Sequence, residues 1–380
     1  MLQRETKNKV LSKKIIIAGG GTGGHIFPAV AIANAVKKID PAVEILFVGA
    51  KGKMEMEKVP QAGYKIVGLD IAGFNRSSLI KNIALPFKLL KSFLQVRKII
   101  NEFRPDAVIG VGGYSSYPVL RYAQVKGIAT FIHEANSYGG KSNVLLSKKA
   151  TKVFVGVDGM EKFFPVKKTM FTGNPVRASI IRTDITRAEA VLFFRLNIEK
   201  PIVLITGGSL GARGINEAIA ANLDLFGENG LQLIWQTGKS FSKTAKQAAT
   251  GKPNIWINEF ITQMEYAYAA ADVVVSRAGA MAIAELCVVK KPVVFVPFPF
   301  AAEDHQTANA MKLVNKKAAV IVTDKEANEK LVSTVIALAK DQDKQHELIK
   351  NIADLAIMNA DEVIAKEVLR ASKVLLNDGE

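Results

Sequence analysis

His25 is the first residue of this sequence whose type and position suggest chemistry. It follows the glycine-rich stretch GGGTGG, residues 19–24, which follows the apolar run KKIIIA. Glycines before a helix let the backbone approach an anion closely, and the helix N-terminus favours negative charge. An imidazole titrates near neutrality and can act as a general base. The stretch predicts an anion-binding turn ending in a potential base; the alternative is that His25 only caps the helix.

Two nucleotide-binding fingerprints match the glycine spacing, and each fails at one place. A dinucleotide site needs an acidic residue near the end of the second strand, but EILFVG is followed by AKGK at 50–53. A P-loop needs Lys and then Ser or Thr, whereas His25 and Ile26 occupy those positions. We therefore expect neither NAD binding nor ATP hydrolysis here. Further glycine-rich strand ends, GVGGYSS (110–116) and TGGSLGARG (206–214), favour two phosphorylated ligands.

The elements that must position these turns are apolar strands alternating with helices. Continuously apolar runs are typical of strands buried on both faces of a parallel sheet. Ten such runs are KKIIIA, VEILFVG, DAVIGVG, ATFIHE, KVFVGV, PIVLITG, LQLIWQTG, NIWINEF, ADVVVS and PVVFVPF. The order strand, glycine turn, helix recurs near residue 200, which predicts an α/β protein of two doubly wound, Rossmann-like domains with a ligand cleft between them. We place the domains at 1–176 and 177–362, with a C-terminal helix at 363–380 packing back on the first.

Composition narrows the class of protein. The single Cys287 lies in an apolar string, as expected of a buried, inert thiol in a reducing compartment, and four histidines without a Cys/His cluster argue against a zinc site. The sequence has no apolar run long enough to span a bilayer and no secretory signal, so we expect a cytoplasmic protein. Residues 1–176 carry 27 basic and 11 acidic residues, whereas the remainder is balanced. That asymmetry predicts an anionic partner for the first half.

Residues 71–101 contain no acidic residue and predict the contact with that partner. Leu79, Ile83, Phe87, Leu90 and Leu94 recur at helical spacing, and Lys88 and Lys91 flank them. An apolar stripe flanked by lysines is typical of a helix at an anionic membrane surface. The alternative is a core-packing helix with a solvated basic face. Nucleic acid is not expected, because the sequence has no recognised binding motif or interleaved aromatics.

The motifs, taken in order, resemble the MurG family, the N-acetylglucosaminyltransferases of peptidoglycan synthesis. The resemblance runs from about residue 14 to the end and rests on GGGTGGHIFP, GVGGYSS, HEAN, GNPVR, GGSLGARGIN, EFI, RAGAMAIAE and HQTANA. It implies the GT-B fold and transfer from UDP-N-acetylglucosamine (UDP-GlcNAc) to undecaprenyl-diphospho-muramoyl-pentapeptide. It also implies inversion at the anomeric carbon, no metal or cofactor, and a peripheral position on the cytoplasmic face of the plasma membrane.

The resemblance further implies roles for individual residues. His25, or alternatively Glu134, is the expected base. Gly112, Gly113 and Tyr114 are expected to face the acceptor diphosphate. The expected donor-binding residues are Thr22, Gly23, Gly24, Asn136, Arg177, Ser209, Ile261, Ala280, Met281, Ala282, Ile283, Ala284, Glu285 and Gln306. Within this set, Arg177 and Ser209 would meet the diphosphate, Glu285 the ribose, Ile261 the uracil and Gln306 the sugar. His133 and His305 are expected to be structural or to lie behind the residues that contact the substrates.

Three other functions remain open at this point. A UDP-GlcNAc epimerase of the same two-domain plan would turn over the donor alone. A related GT-B lipid glycosyltransferase would use another acceptor, such as diacylglycerol. A non-catalytic nucleotide-sugar sensor would bind the donor and leave it intact.

Overall fold

The protein is built on two parallel β-sheets, each covered by helices on both faces. The computed structural model describes residues 12–72, 85–181, 184–208 and 210–374. Within this part of the chain, the first sheet has the strand order β3-β2-β1-β4-β5-β6-β7 and the second has β10-β9-β8-β11-β12-β13. Every strand pair in both sheets is parallel. The prediction of two doubly wound α/β domains is therefore confirmed.

The strands and helices alternate along the chain. The strands are β1 Lys14–Ala18, β2 Glu44–Ala50, β3 Lys65–Leu69, β4 Ala107–Gly110, β5 Ala129–Glu134, β6 Lys152–Val155, β7 Thr169–Phe171, β8 Ile202–Thr206, β9 Gln232–Gln236, β10 Ile255–Asn258, β11 Val273–Ser276, β12 Val293–Phe295 and β13 Val320–Ile321. The helices are α1 Gly23–Ile39, α2 Glu55–Gln61, α3 Leu85–Phe103, α4 Ser116–Val125, α5 Lys141–Ser147, α6 Ala178–Ile181, α7 Arg187–Phe193, α8 Arg213–Ala220, α9 Leu223–Glu228, α10 Ser242–Ala248, α11 Met264–Ala270, α12 Ala280–Val289, α13 His305–Val314, α14 Val332–Lys340, α15 Gln342–Ala353 and α16 Ala360–Val374.

The sequence analysis predicted the interior strands and the edge strand β10, and it missed β3, β7 and β13. All three lie at sheet edges. Their residues are only partly buried, so they lack the continuous apolar run used to identify the others. An edge strand has a neighbour on one side only and is less strongly constrained in composition.

In each sheet the strand order reverses beside the first strand of that sheet. Ala18 of β1 pairs with Gly110 of β4, and Thr206 of β8 pairs with Ser276 of β11. The crevice outside the carboxyl ends of strands at such a switch point is the usual ligand site of this fold. The glycine-rich turns after β1 and β4 therefore meet in the first domain, and the turn after β8 lies at the corresponding switch point of the second.

Helix α16 returns from the second domain and packs against the first. Ile364, Ala365, Val368 and Leu369 are buried in the same core as the strand residues Ile15 and Ile17. Lys38 of α1 pairs with Glu362 at 2.7 Å. Among the described helices, none is long and apolar enough to cross a membrane.

Candidate active site

The loops after β1 (residues 19–22, the β1 loop) and after β4 (residues 111–115, the β4 loop) are packed backbone against backbone. A Cβ atom at Gly113 would lie 2.4 Å from the Gly20 carbonyl oxygen, and Gly113 has φ +83°. A side chain would be both strained and sterically excluded at this position. Glycine here serves the contact between the loops, a requirement that the sequence analysis did not identify.

His25 lies in the first turn of α1, with its ring beside the β4 loop. Its Nδ1 is 3.0 Å from the Gly20 carbonyl oxygen. A carbonyl only accepts hydrogen bonds, so this contact assigns the proton to Nδ1 and leaves the lone pair on Nε2. Since the ring bonds a carbonyl outside the helix rather than a helix N–H, the geometry does not support the capping alternative.

Burial lowers the pKa of His25 below its usual value of 6.5. The bond to Gly20 and the negative charges of Glu134 and Glu55 oppose this effect without cancelling it. The imidazole is therefore neutral at pH 7, the state required of a base.

Glu55, which the sequence analysis did not single out, is the buried acid of this site. Its Oε2 accepts a 2.8 Å hydrogen bond from the Gly21 N–H, and its Oε1 accepts a 3.0 Å bond from the Ala50 N–H. The dinucleotide fingerprint needs an acidic residue at the end of β2, and none is found there. The acidic residue that follows is Glu55, a few residues later at the start of α2. Its carboxylate already occupies the Gly21 donor, so this N–H is not open to a phosphate, contrary to the simple anion-turn prediction.

Glu134, the alternative base, organises the loop after β5. Its Oε1 accepts from the backbone and side-chain nitrogens of Asn136 at 3.2 and 3.4 Å. Its Oε2 accepts from the Gly140 N–H at 3.0 Å and from the Asn143 amide at 2.9 Å. Four donors on one buried carboxylate favour a structural role and place Asn136 beside it at the cleft.

His133 lies under the same strand end and is 1% exposed. Gly173 and Asn174 lie beside its ring. Burial, reinforced by the neighbouring His25, lowers its pKa to about 4. The expectation that His133 is not a primary site residue stays a prediction.

In the second domain, Arg177 and Glu285 form an ion pair. Arg177 Nε and Nη2 donate to Glu285 Oε1 at 3.0 and 2.8 Å, and the Tyr268 hydroxyl donates to Oε2 at 3.1 Å. The guanidinium carbon of Arg177 also lies 4.6 Å from the ring centroid of Phe27 in α1. Two residues assigned separately to the diphosphate and the ribose are therefore a single unit that contacts both domains.

Helix α12 begins directly after β11 and carries the stretch Ala280–Glu285. A Cβ at Gly279, which precedes the helix, would have no heavy atom within 4 Å among its described surroundings, so there is space beside this residue. The first N–H groups of α12 have no partner within the helix and favour an anion. Arg277, which sequence reasoning missed, is buried here; its Nη1 donates to the carbonyls of Val296 and Pro297 at 3.1 and 3.0 Å.

The remaining predicted donor residues come from both domains. The Ile261 N–H donates to Gln236 Oε1 at 2.8 Å. The backbone group that Ile261 has left for the uracil is therefore its carbonyl. Gln306 Oε1 accepts from the Phe298 N–H at 3.0 Å. Thr22, Gly23 and Gly24 lie at the start of α1. Ser209 lies outside the described residues.

A buried hydrogen bond joins the two domains beside this site. Ser137, in the loop that Glu134 organises, donates its hydroxyl to Asn309 Oδ1 at 2.7 Å. Asn309 lies in α13, and its Nδ2 donates to the Ala278 carbonyl before α12 at 3.3 Å. The sequence analysis quoted HQTANA without recognising Asn309 as this link.

Helix α3 carries the predicted membrane stripe, of which Leu79 and Ile83 lie outside the described residues. Phe87 is 75% exposed, Leu90 64% and Leu94 61%. The helix packs on the domain through a different face, which includes Val96 and Ile100. The apolar stripe is therefore not the core face. Lys88 and Lys91 are both exposed, and Lys91 pairs with Asp70 at 3.0 Å.

Comparison with known proteins is consistent with this arrangement. The chain matches the glycosyltransferase family 28 N-terminal domain over residues 15–155 and the C-terminal domain of that family over residues 202–368. A Bacteroides fragilis protein is 50% identical over 364 residues, which cover 95% of this chain and 96% of the relative. It is named UDP-N-acetylglucosamine–N-acetylmuramyl-(pentapeptide) pyrophosphoryl-undecaprenol N-acetylglucosamine transferase.

Solved structures show the same two-domain architecture. MurG of Acinetobacter baumannii superimposes with a TM-score of 0.73 and 28% identity, over 94% of this chain and 99% of its own. A UDP-GlcNAc 2-epimerase from Neisseria meningitidis superimposes with a TM-score of 0.66 over 94% of this chain and 100% of its own. At 15% identity, the epimerase shares the fold alone.

The buried His133 predicts a pH dependence of stability. Its pKa is about 4 when folded and near 6.5 when unfolded, so the unfolded chain binds a proton first as the pH falls. Stability should therefore decrease from pH 6.5 towards pH 4, by about 3 kcal/mol from this group. Measured by urea unfolding, the loss of unfolding free energy between pH 7 and pH 4.5 should be smaller for His133→Asn than for wild type. An unchanged decrease would contradict this assignment.

Proposed function

The chain belongs to glycosyltransferase family 28, and on that premise we propose which reaction it catalyses. It transfers N-acetylglucosamine from UDP-GlcNAc to the C4 hydroxyl of undecaprenyl-diphospho-muramoyl-pentapeptide, with inversion and without a metal or cofactor. The substrates are those in the name of the Bacteroides fragilis relative. The observation that carries the mechanism is a neutral His25 whose Nδ1 is bonded and whose Nε2 keeps its lone pair.

His25 acts as the general base in this mechanism. Its Nε2 takes the proton from the acceptor C4 hydroxyl while that oxygen attacks C1 of the donor sugar. The bond between C1 and the UDP oxygen breaks, and UDP leaves with the bonding electrons. Glu134, whose two oxygens are already bonded to four donors, orients Asn136 for the donor sugar.

The second domain stabilises the departing UDP. The N-terminus of α12 supplies backbone donors and a positive dipole end to the diphosphate. The Arg177–Glu285 pair presents a cation to the diphosphate and a carboxylate to the ribose as one unit. The Ile261 carbonyl faces the uracil and Gln306 the sugar hydroxyls. Thr22, Gly23 and Gly24 close the donor site from the first domain.

The acceptor enters on the side of the β4 loop. Gly112 and Gly113 have positive φ angles and present backbone there. The Tyr114 hydroxyl is buried and has no hydrogen-bond partner among the described residues, so it remains available to the acceptor diphosphate. A buried hydroxyl without a partner is costly, and a bound phosphate would satisfy it.

The reaction is tested by acceptor-dependent release of UDP. We expect the protein to release UDP from UDP-GlcNAc when the lipid-linked muramoyl-pentapeptide is present, and not with the donor alone. Turnover of the donor alone would indicate the epimerase alternative, and turnover with diacylglycerol a different lipid glycosyltransferase. Absence of UDP release with the muramoyl acceptor would refute the proposal.

Replacing His25 separates a base from a binding residue. His25→Ala should lower kcat by about 100-fold or more, the usual contribution of general-base catalysis, and change the Kd for UDP-GlcNAc by no more than about twofold. Initial rates and calorimetric donor binding measure the two effects. His346→Ala, which removes an exposed histidine on α15, is the control. Equal losses of kcat and donor affinity would make His25 a binding residue.

We further propose that α3 attaches the enzyme to the cytoplasmic face of the membrane. Phe87, Leu90 and Leu94 form an exposed apolar stripe, and Lys88 lies beside it. Burying the stripe among lipid headgroups removes apolar area from water, and each nearby lysine attracts anionic lipid. A lipid-linked acceptor requires such a position.

Binding to vesicles containing phosphatidylglycerol tests this surface. Phe87→Ser with Leu90→Ser should weaken binding at least about tenfold, since each removes about 1–2 kcal/mol of apolar burial. Lys88→Glu should also weaken it and leave the Lys91–Asp70 pair intact. Leu192→Ser is the matched control, because Leu192 is 77% exposed on α7 of the second domain. Sedimentation that is equal for all variants would refute this role of α3.

A further inference from the structure

A single peptide group connects the buried carboxylate of Glu55 with the ring of His25. The Gly20–Gly21 peptide donates its N–H to Glu55 Oε2 at 2.8 Å. The carbonyl of the same peptide lies 3.0 Å from His25 Nδ1. The carboxylate, the peptide and the imidazole therefore form a continuous hydrogen-bonded chain.

The surrounding backbone is built around this carboxylate. Glu55 is 1% exposed, and its second oxygen is held by the Ala50 N–H. A Cβ at Gly20 would lie 2.3 Å from Glu55 Cδ, and a Cβ at Gly49 would lie 2.5 Å from Glu55 Cγ. The space that a side chain would fill at Gly20 or Gly49 is therefore occupied by the side chain of Glu55. A buried carboxylate held in this way has a defined position.

We propose that Glu55 is a positioning residue for the base, acting on His25 through the Gly20–Gly21 peptide. This inference rests on the proposed function. The negative charge polarises the peptide, which strengthens the bond from His25 Nδ1–H to the carbonyl and maintains the lone pair on Nε2. It also stabilises the imidazolium that forms when Nε2 takes the acceptor proton. In carboxylate–histidine pairs the acid usually contacts the ring directly; here one peptide intervenes.

The electrostatics of the site agree with this arrangement. The charged groups that act on His25 are Glu55 from α2 and Glu134 from β5, and both raise its pKa, while burial lowers it more. His133 is the other titratable ring nearby, and Tyr114 of the β4 loop also feels the charge of Glu55. Removing the Glu55 charge should therefore lower the pKa of His25 further.

Glu55→Gln tests the proposal with little change in side-chain volume. Relative to wild type, kcat should fall about 10- to 100-fold with both KM values within about twofold, as expected for a residue acting on the transition state. The acidic limb of the kcat/KM pH profile should move down by about 0.5 pH unit, because an opposite charge has been removed. Glu57→Gln, on the exposed side of the same helix, is the matched control and should behave as wild type.

Nuclear magnetic resonance of histidine-labelled protein provides a second readout that does not depend on activity. The chain has four histidines, and His25→Gln assigns the signal of interest. Wild-type His25 should show the Nδ1–H tautomer, and Glu55→Gln should lower its pKa. If wild type releases no UDP, the proposed function fails, while the NMR titration still decides whether Glu55 acts on His25.

The results that overturn the inference are distinct. The inference is overturned if Glu55→Gln leaves both kcat and the acidic limb of the pH profile unchanged. It is also overturned if the loss of activity in Glu55→Gln is explained by a lower melting temperature or by weaker donor binding. Glu55→Asp keeps the charge and should retain the wild-type pH limb; impairment equal to that of Glu55→Gln would indicate packing instead. Should the Gln variant not fold, a lowered His25 pKa or a lost Nδ1–H signal in the folded Asp variant, which keeps the charge, would overturn the inference.

Discussion

The contact between the β1 and β4 loops is the constraint on which the site depends. Parallel pairing of β1 with β4 brings both strand ends to one edge of the sheet, and only glycine lets the two backbones touch there. The contact places the β4 loop beside the ring of His25. It also orients the peptide that His25 and Glu55 both contact. A side chain at Gly113 would separate the loops and move the ring of His25.

A second constraint comes from contacts between described residues of the two domains at the cleft. The bond between Ser137 and Asn309 is buried, and it connects the loop organised by Glu134 with the start of α12. On the donor side, the contact of Arg177 with the ring of Phe27 also joins the two domains. Since a buried polar group without its partner is costly, these contacts favour one relative placement of the two walls. Arg177 of the second domain therefore contacts α1, the first-domain helix that carries His25.

Most of the architecture could be predicted from the sequence because interior parallel strands must be apolar on both faces. The runs at β1, β4, β8 and β11 are examples. The edge strands β3, β7 and β13 could not be recognised, because a strand with one neighbour tolerates exposed residues. The exposed stripe of Phe87, Leu90 and Leu94 is a second feature whose surroundings could not be predicted from the sequence. Helical spacing identifies an apolar face, but only the packed fold shows whether that face is covered.

The sequence by itself determined the fold class and the glycine-rich strand ends, and it predicted His25, or alternatively Glu134, as the base. These features depend on local spacing and residue type. Only the tertiary structure decided which groups those residues meet. It paired Arg177 with Glu285, and it brought Glu55 to a peptide 34 residues earlier in the chain. The reason is physical: crossover connections in a parallel sheet bring distant strand ends together, and neither periodicity nor spacing encodes the contacts made there.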